Sequence, residues 1–330
     1  MDNIAIYGLG RIGRQLLRSA VRNDLFFPTV VCDIAPADTL AALLEVDTNY
    51  GRWPGVTSDN HSISIDGRSI HYVNSRDSLP NWKQLGVDLV IDCTGRGVTR
   101  DAATRHLENG ATRVLVSGPS KTASDCDAVL LPGINLDDYD AENHKIISMA
   151  SCTTNALAAV VKVLLESTGI NHGVFSTVHA YTNTQSLTDQ PMNSRRDSWA
   201  GAENIIPSSS GAAKALGFIW PDLSITGKAY RVPVRTGSIV ELNVVPEREI
   251  STEDLRDLFR SAAATGPLAG ILDVFEDEWT SARIVGDPHS SIIDLPLTQS
   301  FKGMVSVAAW YDNEAGFSMR LAETAVRLAS

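Results

Sequence analysis

Residues 3–33 read NIAIYGLGRIGRQLLRSAVRNDLFFPTVVCD, and this stretch decides the fold of the N-terminal part. The run Asn3–Tyr7 predicts a strand, the glycines of residues 8–13 follow at once, and Arg14–Val21 has the pattern of a helix. A second predicted strand, residues 29–32, ends on Asp33, twenty positions after the last glycine of the motif. A bare GxGxxG motif is weak, but a motif with this strand, helix and acid is typical of a dinucleotide-binding βαβ unit.

The glycines and the acid also indicate the cofactor. Gly8, Gly10 and Gly13 let the backbone approach a pyrophosphate at the helix N-terminus, where the helix dipole favours negative charge. Asp33 would accept hydrogen bonds from the adenosine ribose hydroxyls and repel a 2′-phosphate, so NAD is favoured over NADP. The alternative for Asp33 is a helix cap or a loop acid.

Two sheet patterns divide the chain. Up to residue 150, short apolar strands (89–92, 114–116, 128–131 and 146–148) alternate with helices such as 100–109. This α/β pattern predicts a Rossmann doubly wound parallel sheet. From residue 151 to 316, longer β-branched runs such as SIVELNVVP and MVSVAAWY predict an α+β domain with a mixed or antiparallel sheet. The end of the chain, Phe317 to Leu328, predicts an amphipathic helix.

A cysteine and a histidine are placed to meet in the second part. Cys152 precedes TTNALAAVVKVLLEST, which has the apolar density of a buried helix, and His179 lies in the predicted strand GVFSTVHAYT. A helix of ~15 residues advances about 22 Å and a returning strand of ~7 residues covers about 23 Å, so His179 returns beside Cys152. Unpaired N–H groups and an imidazole there would favour the thiolate, an activated nucleophile. The flanking hydroxyls and the returning histidine disfavour the alternative, a structural cysteine with a satisfied histidine.

Composition agrees with an intracellular enzyme. The net charge of −11 argues against a general nucleic-acid or anionic-membrane surface, and 43% hydrophobic residues can fill two cores. The four cysteines lack metal-type CxxC spacing, so we expect no metal site and reduced thiols in a cytoplasmic protein. Cys32 and Cys93 are interpreted as packing residues and Cys126 as an exposed thiol. We expect neither a signal peptide nor a spanning helix, because no stretch has the required length and apolarity.

Segments along essentially the full length resemble glyceraldehyde-3-phosphate dehydrogenases. They are GLGRIGR, VDTNYGRW, ASCTTN, VHAYTNTQ, ENIIPSSSGAAKAL, YRVPV, VGDPHSSI and WYDNEAG. The resemblance implies an NAD-dependent, phosphorylating aldehyde dehydrogenase of glycolysis, usually a homotetramer. It also implies that the C-terminal helix (317–330) packs on the NAD-binding domain (1–150), beside a catalytic domain (151–316).

The resemblance implies roles for the two central residues. Cys152 would form a thiohemiacetal with D-glyceraldehyde 3-phosphate, and His179 would take the hydroxyl proton as hydride leaves for NAD⁺. The resulting thioester keeps the energy of oxidation until inorganic phosphate attacks it and yields 1,3-bisphosphoglycerate. The Cys152 N–H and the protonated His179 are reasonable oxyanion donors.

The resemblance also implies two anion sites and a set of cofactor contacts. Arg231, with Thr182 and Thr184, would bind the substrate phosphate, and Arg196 the attacking phosphate. Alternatives are a structural ion pair for Arg231 and ordinary N-capping by Ser210. Residues that would complete the site of the attacking phosphate are Ser151, Thr153, Ser210 and Gly211. Asn313 would hold the nicotinamide carboxamide, and the other expected NAD contacts are Gly8, Gly10, Arg11, Ile12, Gly13, Asp33, Arg76, Thr94 and Ser117.

Some positions depart from the family pattern and leave the substrate open. Tyr7 replaces a usual Asn, and Gly97 and Ala315 stand where aromatic residues are common, which removes bulk near the expected cofactor site. Trp199 replaces a frequent arginine and Arg235 adds a charge. The alternative functions are a paralogue acting on another phosphorylated aldehyde, such as erythrose 4-phosphate, or a non-catalytic NAD-binding or interaction protein.

Overall fold

The structure, a computed structural model, describes residues 3–330. Contacts divide the chain into two compact units. The first unit runs to Ala150 and includes Ser318–Ser330, and the second is Ser151–Phe317.

The first unit contains a nine-stranded sheet. The first unit has the strands β1 (Ile4–Tyr7), β2 (Val30–Asp33), β3 (Val46–Asp47), β4 (Gly51–Arg52), β5 (Val56–Ser58), β6 (Ser62–Ile65), β7 (Arg68–Asn74), β8 (Leu89–Asp92), β9 (Arg113–Val116), β10 (Ala128–Val129) and β11 (Ile146–Ser148). β3 and β4 form a separate hairpin, and the other nine strands form the sheet. The order in the sheet is β10-β11-β9-β8-β1-β2-β7-β6-β5, and every pair from β10 to β7 is parallel. Helices α1 (Arg11–Arg22), α2 (Ala37–Glu45) and α3 (Arg100–Glu108) connect the strands. Since β1 lies between β2 and β8, the strand order reverses there, and the carboxyl ends of these parallel strands meet at a switch point.

An antiparallel edge extends the parallel sheet. β5, β6 and β7 pair antiparallel, and Asp66-Gly67 forms the turn between β6 and β7 with φ values of 51° and 80°. The sequence pattern of alternating strands and helices predicts a parallel sheet alone, without these strands. The signal was present, because Asp-Gly between alternating apolar residues is typical of a tight hairpin.

The second unit contains a mixed eight-stranded sheet. Its strands are β12 (His172–Ala180), β13 (Ile206–Ser209), β14 (Ile225–Val232), β15 (Ser238–Val245), β16 (Leu272–Phe275), β17 (Ser291–Asp294), β18 (Gln299–Phe301) and β19 (Met304–Tyr311). The order is β13-β14-β12-β15-β19-β17-β16, and β18 pairs with β19. Only β12 with β14 and β16 with β17 are parallel among these described pairs.

Three helices belong to the second unit: α4 (Cys152–Ser167), α5 (Ala212–Ile219) and α6 (Thr252–Ala264). α4 packs on β15, β17 and β19, and residues 153–161 are all buried, as the apolar density of the sequence predicts. The last helix, α7 (Ala315–Ala329), buries Leu321, Ala322, Ala325 and Leu328. The prediction of a Rossmann sheet with a second mixed-sheet domain is confirmed.

Candidate functional site

The glycine motif of the first unit forms a close turn between β1 and α1. Gly8 has φ +95°, which favours glycine, and a Cβ there would lie 2.8 Å from the Thr94 methyl group. A Cβ on Gly13 would collide with the Gly8 carbonyl oxygen, whereas one on Gly10 would meet no atom within 4 Å. Gly8 and Gly13 therefore permit the turn and the close packing of α1, and Gly10 leaves the helix N-terminus open to a ligand.

Asp33 lies at the end of β2, beside this turn. Its two carboxylate oxygens accept the N–H groups of Leu9 (2.7 Å) and Ala35 (3.0 Å). Each oxygen keeps a lone pair for another donor. A cavity of about 390 Å³ is lined by Asp33, Gly8, Gly10 and Thr94, among others. The open helix N-terminus can donate N–H groups to a pyrophosphate, the glycines let it approach the backbone, and the fixed carboxylate can accept ribose hydroxyls. These residues therefore fit NAD.

The other residues of the first unit that are expected to contact the cofactor make their observed contacts with groups of the protein itself. Arg11, the first residue of α1, pairs with the buried Asp47 at 2.5 Å, and Arg76 donates to the Ile34 carbonyl at 3.0 Å. The N–H and hydroxyl of Thr94 both donate to Asp92, at 2.8 and 2.6 Å. Ile12 lies in the first turn of α1, and the Ser117 N–H donates to the Asp92 carbonyl at 3.0 Å.

A buried network that no sequence motif indicates lies beneath this cavity. Trp82 Nε1 donates to His106 Nδ1 (3.2 Å), and His106 Nε2 lies 3.4 Å from an Asp92 oxygen. Tyr7 packs edge-on against His106, with ring centroids 4.9 Å apart. The residues come from distant parts of the chain, so no local pattern identifies them.

Gly97 lies against the same network. A Cβ at this position would collide with the Asp92 carboxylate. Gly97 also lines the cavity of the first unit, and its missing side chain leaves room for the Asp92 carboxylate.

The second unit brings Cys152 and His179 together. Cys152 is the first residue of α4, Ser151 caps that helix by accepting the Thr154 N–H at 3.1 Å, and His179 lies near the end of β12. Cys152 Sγ is 3.5 Å from His179 Nε2. A sulfur atom at a helix N-terminus and an imidazole in hydrogen-bonding distance form a nucleophile–base pair.

Arg231 lies on the other side of the His179 ring. β12 and β14 pair in parallel with His179 opposite Arg231, and Arg231 Nη1 is 2.6 Å from His179 Nδ1. Both groups approach the Ala180 carbonyl, at 3.2 Å from Nη1 and 2.7 Å from Nδ1. Because a guanidinium only donates and a carbonyl only accepts, a bond from Arg231 requires the tautomer with its proton on Nε2, facing Cys152, whereas a bond to Ala180 requires the tautomer with its proton on Nδ1.

Burial determines the protonation of this pair. Burial, aided by the positive charge of Arg231, lowers the pKa of His179 to about 3, so the imidazole is neutral near pH 7. Burial raises the pKa of the Cys152 thiol, although Arg231 and hydrogen bonds at Thr153 oppose the shift. The sequence predicts that the helix start and the imidazole favour the thiolate; hydrogen bonds at the helix start do lower the pKa of the thiol, but burial raises it overall. Loss of hydration outweighs the favourable contacts.

A buried hydroxyl network that the sequence pattern does not predict supports the Cys152–His179 pair. Tyr311 Oη lies 2.9 Å from Thr153 Oγ1 and 2.7 Å from Thr177 Oγ1, and it joins the start of α4 to β12. The Tyr311 ring also meets His179 edge-on, with centroids 5.9 Å apart. WYDNEAG contains Tyr311, but its contacts depend on sheet packing.

The expected phosphate residues lie on strand ends and loops. Thr182 and Thr184 hydroxyls are 2.9 Å apart, and Arg196 is exposed in a short 3₁₀ turn. Ser210 accepts the Ala212 N–H at 3.3 Å, but the N-cap of α5 is Gly211 and no side chain of the described residues caps this helix, so ordinary N-capping by Ser210 is not observed. Within residues 3–330, Arg231 has no carboxylate partner and its buried Nε has no hydrogen bond, so its ion-pair alternative is not observed.

Three further expectations from the sequence concern the exposure of Cys126, membrane-spanning helices and metal sites. Cys126, predicted to be exposed, retains only 6% exposure, because its polar neighbours face solvent while the thiol packs inward. No helix in residues 3–330 has the length and apolarity needed to cross a membrane. Over the same residues, no three His, Cys, Asp or Glu side chains are grouped to hold a metal ion.

Two family models match the chain. The model described as "Glyceraldehyde 3-phosphate dehydrogenase, NAD binding domain" matches residues 2–100, and the corresponding C-terminal domain model matches residues 151–313. Glyceraldehyde-3-phosphate dehydrogenase of Kitasatospora aureofaciens is 46% identical, with all of both chains covered. The enzyme of Geobacillus stearothermophilus is 41% identical over 99% of this chain and 98% of its own.

These matches confirm the predicted resemblance, NAD as the cofactor, and the assignment as an NAD-dependent oxidoreductase. The chain belongs to the glyceraldehyde-3-phosphate dehydrogenase family.

Proposed function

We propose that this chain oxidises D-glyceraldehyde 3-phosphate with NAD⁺ and inorganic phosphate to 1,3-bisphosphoglycerate. The observation that carries the proposal is the 3.5 Å approach of Cys152 Sγ to His179 Nε2, with Arg231 against the opposite side of the ring. This geometry supplies a nucleophile, a base and a cation for the substrate phosphate.

Arg231 couples substrate binding to the state of His179. A substrate phosphate that engages Arg231 withdraws its donor from Nδ1, and Nδ1–H can then donate to the Ala180 carbonyl, 2.7 Å away. The proton leaves Nε2 in this tautomer, so Nε2 faces Cys152 as a base. Because His179 is neutral near pH 7, it accepts the thiol proton as sulfur attacks the aldehyde, then returns a proton to the new oxygen.

The same base serves the oxidation. Bound NAD⁺ would supply the acceptor for the hydride that leaves the thiohemiacetal carbon. His179 Nε2 takes the hydroxyl proton, and a thioester is left on Cys152. Phosphate oxygen then attacks the thioester carbon, the C–S bond breaks, and protonated His179 returns a proton to sulfur. The Cys152 N–H at the start of α4 stabilises the oxyanion.

The residues proposed to bind NAD and those proposed to bind the two phosphates are assigned to the two units. We assign the first unit, with 318–330, to NAD binding through Gly8, Gly10, Gly13, Asp33 and the residues Arg11, Ile12, Arg76, Thr94 and Ser117. We assign the second to catalysis. Arg231, Thr182 and Thr184 would hold the substrate phosphate, Arg196, Ser151, Thr153, Ser210 and Gly211 the attacking phosphate, and Asn313 the carboxamide of NAD.

We also infer a cytoplasmic homotetramer. The outer face of the second sheet exposes Val174 and Val178, at 54% and 41%. Alternate residues of the same strand, Phe175, Thr177 and His179, are buried. Exposed valines in mid-sheet favour a self-association surface.

The first test is NADH formation by the purified protein with glyceraldehyde 3-phosphate, with and without phosphate or arsenate. Fast turnover that depends on phosphate is expected. Preference for erythrose 4-phosphate would support the paralogue instead, and absence of turnover would favour the non-catalytic alternative.

Cys152→Ser provides a matched test of the assigned roles. We expect turnover to fall by at least ~10³-fold, because the sulfur forms the covalent intermediate. NAD⁺ binding, measured by calorimetry, should remain within about threefold of wild type, since Cys152 has no assigned part in binding the cofactor. A variant that no longer binds NAD⁺ would contradict this division of the site.

A further inference from the structure

A chain of hydrogen bonds ends on the side chain of Asn313. The Ala180 N–H donates to Ser238 Oγ at 3.1 Å, and Ser238 Oγ donates to Asn313 Oδ1 at 3.0 Å. Ser238 is 1% exposed and Asn313 6% exposed, so water has little access to either group. These bonds all lie within the second unit.

The chemistry of Ser238 determines the orientation of the amide. Its oxygen accepts the Ala180 N–H, and its single proton is directed to Asn313, so the facing amide atom is an acceptor. That atom is Oδ1. Asn313 Nδ2 has no acceptor within residues 3–330, and its two hydrogens remain available to a ligand.

The backbone of Asn313 is held separately. The preceding carboxylate, Asp312, accepts the Thr236 hydroxyl at 3.0 Å and the Gly286 N–H at 2.9 Å. It also accepts the N–H groups of Glu314 and Ala315, at 2.9 and 3.0 Å. Asp312 therefore positions the backbone of Asn313, and Ser238 restrains only the rotation of the Asn313 side-chain amide.

We propose that Ser238 is a positioning residue that makes Asn313 present N–H donors, so that the site recognises the nicotinamide ring by its carboxamide oxygen. The inference rests on the proposed function, which assigns Asn313 to the carboxamide. A donor can pair with the carbonyl oxygen of that group and not with its NH₂. The same Ala180 residue that contacts His179 through its carbonyl thus orients Asn313 through its N–H.

Direct binding to the full chain tests this selectivity. Calorimetry would compare NAD⁺ with its 3-acetylpyridine analogue, which keeps the carbonyl oxygen and lacks NH₂, and its thionicotinamide analogue, in which sulfur replaces that oxygen. Wild type should bind the acetylpyridine analogue within about threefold of NAD⁺ and the thio analogue more weakly, since sulfur is a weak acceptor. The reverse order would overturn the proposed orientation.

Ser238→Ala tests the residue itself, with ADP-ribose as an internal reference because it lacks the nicotinamide ring. Loss of the hydroxyl should weaken NAD⁺ binding by about tenfold and leave ADP-ribose binding within about twofold. Ser238→Thr keeps the hydroxyl and should restore most of the difference. Thr236→Ala removes one of the Asp312 donors and should leave the NAD⁺ to ADP-ribose ratio unchanged.

The outcomes separate the two proposals. An unchanged ratio in Ser238→Ala, with normal wild-type turnover of glyceraldehyde 3-phosphate, would overturn the inference alone. Equal weakening of NAD⁺ and ADP-ribose would assign Ser238 a merely structural role and also overturn it. Failure of wild type to bind NAD⁺ would overturn the proposed function and this inference with it.

Discussion

Ala180 shows how the backbone of one residue can organise a site without a functional side chain. Its carbonyl lies 2.7 Å from His179 Nδ1 and 3.2 Å from Arg231 Nη1, while its N–H donates to Ser238. The residue is fully buried at the end of β12, so these bonds are protected from water. A sequence motif cannot identify such a role, because any residue carries the same backbone groups.

At the residue scale, His179 should make stability depend on pH. Its pKa falls from 6.5 to about 3 on folding, so between these values the unfolded chain binds more protons. Stability due to this group is therefore fully present above pH 6.5 and is lost as pH falls towards 3, by at most about 1.4 kcal/mol per pH unit. Urea unfolding midpoints at pH 7, 6 and 5 would measure the slope.

His172, on the same strand as His179, provides a matched control for the dependence of stability on pH. His179→Gln should flatten the decline in stability below pH 6.5, because glutamine does not titrate. His172→Gln changes an exposed histidine at the opposite end of β12 and should leave the slope close to that of wild type. Identical slopes in wild type and His179→Gln would contradict the lowered pKa.

At the scale of elements, the site depends on where α4 begins and β12 ends. The sequence predicts both elements within one or two residues, since a long apolar helix and a β-branched strand have clear patterns. Their lengths bring Cys152 near His179. Arg231 joins them through the parallel register of β12 and β14, and non-local pairing of this kind is not encoded in either strand alone.

Two serine caps provide an element-scale prediction. Ser151 caps α4 and Ser251 caps α6, and each accepts the N–H of the third following residue at 3.1 Å. Replacing either serine by alanine should cost about 1 kcal/mol of stability, because a helix N–H loses its acceptor. Thermal unfolding of both variants would measure the loss.

Kinetics distinguish the two caps. Ser151→Ala should also raise the KM for phosphate, since Ser151 is assigned to the attacking-phosphate site. Ser251→Ala lies outside the assigned sites and should retain wild-type turnover. An unchanged phosphate KM in Ser151→Ala would remove Ser151 from that site and leave it only a cap.

At the scale of the whole molecule, the exposed valines of β12 bear on assembly. Val174 lies on the outer face, opposite Thr226 of β14 and Asn243 of β15. Val174→Asp would place a charge in a surface proposed to be buried between copies, and desolvating an unpaired carboxylate is unfavourable. Sedimentation velocity should show a shift from tetramer to smaller species.

Leu297→Asp is the control for assembly. Leu297 is exposed to the same extent as Val174, 54%, but lies in the turn between β17 and β18. We expect this variant to keep the wild-type sedimentation coefficient. A Val174→Asp protein that sediments like wild type would exclude this face of β12 from the interface.

By itself the sequence determined the two sheet types, the glycine turn with Asp33, and the approach of Cys152 to His179, because each follows from local periodicity, turn chemistry or element length. Only the tertiary structure decided the contacts of Arg231, the Tyr311 and Ser238 networks, and the position of Asp92 against Gly97, since these join residues that are far apart in the chain. It also decided the protonation of Cys152 and His179. Their pKa values depend on burial, which arises only when the surrounding elements pack together.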